Sequence, residues 1–223
     1  RKKSAPLFIL RKDFKVRQHP AGQFSYSGIE HRWRHLKTPL LGRYQVQNVA
    51  LALAASEILI KNKVSITPKS IQQGLANTRW AGRLEIVCHH PLVILDGAHN
   101  FVAARSLAKF LAEDVAGRRI TLVIGILDDK PYRSMLNSLL PRCSRAIITR
   151  AKTGRAIAPQ KLAAIAKKTM SDVTIISDVA EAARHAIKTA GPDDVVCIAG
   201  SLYVVGEVKE AIEKGLLKSI RKT

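Results

Sequence analysis

From Leu84 onward, short unbroken runs of Val, Ile, Leu and Ala alternate with segments of helical period, and this pattern constrains the fold more than any other feature. The runs are Leu84–Cys88, Leu92–Leu95, Ile120–Ile126, Ala146–Thr149, Val173–Ile176 and Val195–Ala199. They lack the apolar–polar alternation of a strand with one wet face, so each reads as a strand covered on both sides. Helical patterns lie at Ala103–Glu113, Tyr132–Leu140, Pro159–Thr169, Ala180–Ala190 and Leu202–Lys214. Strands alternating with helices of this length predict βαβ crossovers. The fold class is therefore α/β: a Rossmann-like, doubly wound, mostly parallel sheet.

The preceding stretch has another rhythm. Leu7–Leu10, Phe14–Val16, Phe24–Tyr26 and His31–Arg34 read as short strands separated by turn material such as His19-Pro20-Ala21-Gly22. Val46, Val49, Ala50, Leu53, Ala54 and Leu59 mark a helix from Gln45 to Lys61. A second helix starts after Thr67, a capping residue, with Pro68 in the first turn, and ends near Asn77. The boundary falls at Trp80-Ala81-Gly82, dividing the chain into residues 1–82 and 83–223.

Charge narrows the partners. Lys and Arg number 37 against 17 Asp and Glu, a net +20. A field of that sign attracts nucleic acid, nucleotides or substrates with several carboxylates. The runs Arg1-Lys2-Lys3 and Lys218, Arg221 and Lys222 read as solvated ends. Cys88, Cys143 and Cys197 show no C-x-x-C spacing and read as buried, reduced thiols. No run approaches the ~20 apolar residues that span a bilayer, and no signal peptide is visible, so a soluble cytoplasmic protein is expected. The chain begins without methionine in strand-like sequence, which points to a longer parent.

Ligands of open α/β sheets gather at the carboxyl ends of the strands. There the sequence places Asp96-Gly97-Ala98-His99-Asn100, between a strand and a helix. Asp96 suits a ribose hydroxyl or a cation-bound water. His99 can donate, accept or carry charge, and Asn100 can bind or cap. A capped turn with a satisfied histidine fits the same residues. Gly200-Ser201 opens a helix and suits either a carboxylate or phosphate, or a plain cap. Asp129-Lys130 reads as a surface ion pair or a site residue. His89-His90 reads as an exposed turn before Pro91 rather than a metal site. There is no P-loop, no G-x-G-x-x-G and no G-x-S-x-G.

Four segments in order resemble the C-terminal portion of folylpolyglutamate synthase / dihydrofolate synthase, of the Mur ligase superfamily. Leu41-Gly42-Arg43-Tyr44-Gln45-Val46-Gln47-Asn48 resembles the family's G-x-H-Q-x-x-N-A helix start. Trp80-Ala81-Gly82-Arg83-Leu84-Glu85 resembles its P-G-R-x-E turn, Asp96 to Asn100 its D-G-A-H-N-P, and Gly200 to Gly206 its G-S-L-Y-x-x-G. Asp129-Lys130 matches its D-K. Tyr44 and Phe101 depart from the usual His and Pro, and Trp80-Ala81 from the usual pair.

The resemblance implies that residues 1–82 are the final strands and helices of the central ATP-binding domain, and 83–223 the glutamate ligase domain. It implies ATP-dependent amide formation: a carboxylate of dihydropteroate or a folate polyglutamate is phosphorylated, then attacked by the amine of L-glutamate. Asn48 would approach the adenine, Arg83 the phosphates and Asp96 the ribose. His99, Asn100 and Ser201 would lie toward the glutamate, with Arg83 and His99 catalytic. Magnesium is implied too, but its ligands, the P-loop, a modified lysine and much of the folate pocket belong to an N-terminal part with no counterpart here. The chain would dock on that part and be inactive alone. A basic nucleic-acid-binding module is the other reading of the charge, disfavoured because the cations are dispersed along the chain and not interleaved with aromatics.

Overall fold

The computed structural model describes residues 5–217, so both terminal basic runs lie outside the described residues. The chain divides into two compact units, one ending at Trp80 and one starting at Ala81.

In the first unit, β1 (Lys15–Gln18), β2 (Phe24–Ser27) and β3 (Arg32–Leu36) form an antiparallel sheet in that order. The helix α1 (Arg43–Lys61) packs its apolar stripe of Val49, Ala50, Leu53 and Ala54 with Phe14, Phe24, Tyr26 and Leu36. The helix α2 (Pro68–Asn77) starts at a reciprocal cap: Thr67 Oγ1 accepts the Ser70 N–H, and Ser70 Oγ accepts the Thr67 N–H. The expected strand Leu7–Leu10 does not form. Leu10 makes only an isolated bridge to Phe14, because the chain turns at residues 11–13, where Asp13 Oδ2 accepts the Ile9 N–H at 2.7 Å.

One buried carboxylate ties α1 to β2 and to the turn that follows it. Glu57, 3% exposed, accepts the Tyr26 O–H at 2.7 Å and the N–H groups of Ile29, Glu30 and His31 at 2.8, 3.0 and 2.5 Å. Burial raises its pKa, but these donors more than offset that and hold it below the usual carboxylate range.

The second unit is a six-stranded sheet in the order β4 (Glu85–His89), β5 (Leu92–Asp96), β9 (Val195–Ala199), β6 (Ile120–Ile124), β7 (Arg145–Ile148), β8 (Val173–Ile175). All neighbours are parallel except β4, antiparallel at one edge. The helices are α3 (Phe101–Glu113), α4 (Tyr132–Leu139), α5 (Pro159–Ala166), α6 (Val179–Thr189) and α7 (Leu202–Glu213). As the unbroken apolar runs predict, every residue of β5 and β9 is buried, whereas β4 and β8, at the two edges with one neighbour each, are only half-buried or exposed.

Two differences from expectation have local causes. The run Ile120–Ile126 stops as a strand at Ile124, and Ile126 and Leu127 stay buried by pairing with the 156–157 segment. The fourth helix tightens to a 3-10 turn at Leu140–Arg142, because Pro141 has no N–H for the next α-helical bond.

Candidate functional site

The chain steps outward from β5 to β6, β7 and β8 through α3, α4 and α5, then returns through α6 to place β9 between β5 and β6. Right-handed crossovers put helices of the outward steps on one face and the returning helix on the other. The core agrees: α6 and α7 share one apolar cluster with Val93, Leu95, Val123, Ile147, Val196 and Ile198. The turn after β9 thus leaves for one face, and those after β5 and β6 for the other. That divergence makes a switch point at the carboxyl ends of these strands, where open α/β sheets bind their ligands.

The turn into β4 reaches the same edge, because β4 runs antiparallel to β5. Gly82 has φ +66°, and a Cβ there would lie 2.9 Å from Val205 Cγ1. The Gly97 N–H donates to Gly82 O at 2.7 Å, and a Cβ on Gly97 would lie 2.4 Å from Leu202 Cδ2. Asp96 clamps the two turns. Its Oδ2 accepts the Leu84 N–H at 2.9 Å and its Oδ1 the Ala98 N–H at 2.9 Å. Leu84, with φ 47°, holds a left-handed backbone that bulky residues rarely adopt. Asp96 is 3% exposed. Burial pushes its pKa up, against the lowering by these two amides and by the charge of Arg83.

Arg83 and His99 flank this clamp. Arg83 is half-buried, and among the described residues its guanidinium has no hydrogen-bond or ion-pair partner. His99 Nδ1 lies 2.9 Å from Gly97 O. A carbonyl only accepts, so Nδ1 carries the proton and Nε2 of the neutral ring keeps a lone pair. Asn100 caps α3, its Oδ1 accepting the Ala103 N–H at 2.9 Å. Ser201, fully buried, caps α7 by accepting the Val204 N–H at 3.1 Å, which leaves its O–H to donate. Gly200 precedes it at φ +106°, where a Cβ would meet Gly125 O at 2.5 Å. Asn48 belongs to the first unit, where it is exposed on α1 and its Nδ2 donates to Gln45 Oε1 at 2.8 Å.

The remaining rim carries paired charges. Asp129 pairs with Lys130, as its sequence suggests, and also with Arg155, each at 2.8 Å. Sequence reasoning missed Arg155 because its partner is 26 residues away. A cleft of ≈ 460 Å³ beyond β7 and β8 is lined by Arg150, Lys152, Ser177 and Asp178 among others. The thiols differ in part from expectation: Cys197 is buried, but Cys88 and Cys143 are half-buried. Among the described residues, no three His, Cys, Asp or Glu gather as metal ligands, and no helix is long and apolar enough to cross a membrane.

Comparison with known proteins gives the family of the fold. The profile of the family described as Mur ligase, glutamate ligase domain, matches residues 82–202. The dihydrofolate synthase/folylpolyglutamate synthase of Bacillus subtilis is 32% identical over 87% of this chain and 45% of its own. Escherichia coli FolC in complex with ADP superposes with a TM-score of 0.85 at 26% identity, over 96% of this chain and 49% of that one. The bifunctional folylpolyglutamate synthase/dihydrofolate synthase of Yersinia pestis, complexed with AMPPNP and Mn ion, gives 0.81 at 28% identity, over 95% and 48%. The chain spans about half the length of the proteins it matches. By its glutamate ligase domain, the chain belongs to the Mur ligase family.

Proposed function

We propose that this chain is part of an ATP-dependent ligase that adds L-glutamate to dihydropteroate or a (poly)glutamyl folate through an acyl phosphate. The supporting observation is the joint at the carboxyl edge: Asp96 and Gly97 tie the Gly82–Arg83 turn to the loop bearing His99, beside the switch point. Arg83 brings a free rigid fork of donors to neutralise phosphoryl charge. His99 presents Nε2, which can take the proton that the glutamate amine must lose before it attacks. Attack forms the C–N bond and expels phosphate. Asn48 would meet the adenine and Asp96 the ribose. Asn100, through its free amide nitrogen, and Ser201, through its O–H, would hold the glutamate with His99.

Magnesium is not drawn from this chain. Among the described residues no three His, Cys, Asp or Glu gather as ligands, and no step here runs through a metal. The P-loop, metal and folate groups would come from a longer ligase on which this chain docks, acting in cytoplasmic folate and one-carbon metabolism. The nucleic-acid reading had only net charge in its favour and is not carried further. The test is turnover: this chain alone, given ATP, folate or dihydropteroate and glutamate, should release no phosphate. Glutamate-dependent release by the isolated chain would contradict the division of labour.

A further inference from the structure

We propose that Asp96 is a positioning residue that sets both Arg83 and His99, whatever contact it also makes with a nucleotide. The inference rests on the ligase reading of this site and goes beyond it. Each carboxylate oxygen holds a peptide unit next to one functional side chain. Oδ2 takes the N–H of the Arg83–Leu84 peptide at 2.9 Å and so fixes the backbone from which Arg83 projects. Leu84 sits at φ 47°, a conformation that persists only where its surroundings over-determine it. Oδ1 takes the N–H of the Gly97–Ala98 peptide at 2.9 Å, and the carbonyl of that same peptide receives the His99 Nδ1 proton at 2.9 Å. Carboxylate, peptide and imidazole form a relay that turns Nε2 outward with its lone pair free, as a carboxylate behind a histidine does elsewhere. With Asp96 3% exposed, these bonds are shielded from water.

The test uses the ¹⁵N-labelled chain without nucleotide, and tripolyphosphate as a probe that has phosphates but no ribose. Asp96→Ala removes both acceptors. Asp96→Asn keeps one, because its amide nitrogen faces the second N–H. In wild type, the ring-nitrogen shifts of His99 should report the Nδ1–H tautomer. In Asp96→Ala they should move toward Nε2–H, and tripolyphosphate affinity should fall about tenfold, the scale of one lost charge-assisted bond. Asp96→Asn should lose one effect and keep the other. Unchanged tautomer and unchanged affinity in Asp96→Ala would overturn the proposal. If both variants fail to fold, hydrogen exchange in wild type decides. Protection of the Leu84 and Ala98 amides like that of β5 supports the clamp, and exchange at the rate of open loops overturns it. A wild type that ignores tripolyphosphate would count against the phosphate role of Arg83, while the tautomer still tests the positioning.

Discussion

At Gly200, φ +106° coincides with a wall of backbone, since a Cβ would lie 2.5 Å from Gly125 O. At Gly97 the obstacle is instead the tip of Leu202, a side chain 53% exposed and free to swing. Gly200→Ala should therefore cost about 3 kcal/mol or more, and Gly97→Ala clearly less; urea unfolding ranks them. Glu57 makes a prediction with pH. Its folded pKa is depressed, so its stabilisation is complete above the ordinary carboxylate pKa and is lost as pH falls through the folded value. Glu57→Gln leaves amides without an acceptor and should cost about 3 kcal/mol at neutral pH. The gap to wild type should narrow on acidification, measured by denaturant unfolding across pH. Burial pushes the Cys143 thiol up to about 12 and that of Cys197 well above its usual value. In mildly alkaline buffer the native chain should expose Cys88 first to thiol reagents, and all three cysteines only on unfolding. Residue roles were the least legible part of the sequence. Asp96 stands out as a residue type, but one of the two bonds that occupy it comes from a turn 12 residues upstream, at the positive-φ Leu84.

Elements were legible wherever local chemistry decides them. Thr67 with Pro68, and the helix starts at Asn100 and Ser201, are written in residue types that cap, and the caps form. Asn100→Ala should cost about 1 kcal/mol and Ser201→Ala at least as much, the latter because the Val204 N–H is buried and loses its acceptor. Thermal unfolding of the two variants checks the order. Leu7–Leu10 failed as a strand because a strand needs a partner, and composition cannot announce one. Ile120–Ile126 ran too long because burial in a loop and burial in a strand leave the same apolar signature.

The doubly wound plan was legible because strands covered on both faces must be apolar throughout. The position of β9, and hence of the switch point, was not, because insertion between β5 and β6 is a long-range choice. Charge also needed the structure. Residues 5–80 carry twelve Lys and Arg against only Asp13, Glu30 and Glu57, so the net charge lies more heavily on the first unit than an even spread would give. Lys15 and Arg32 flank Ser27 in one cross-strand row, all three exposed. Steady-state phosphate release by the complete ligase, wild type against Arg83→Gln, tests the central claim most directly. The account predicts release that requires ATP, a pteroate or folate acceptor and glutamate together, lowered roughly 100-fold or more by the substitution with the fold unchanged. Release that proceeds without glutamate, or an Arg83→Gln enzyme as fast as wild type, would contradict it.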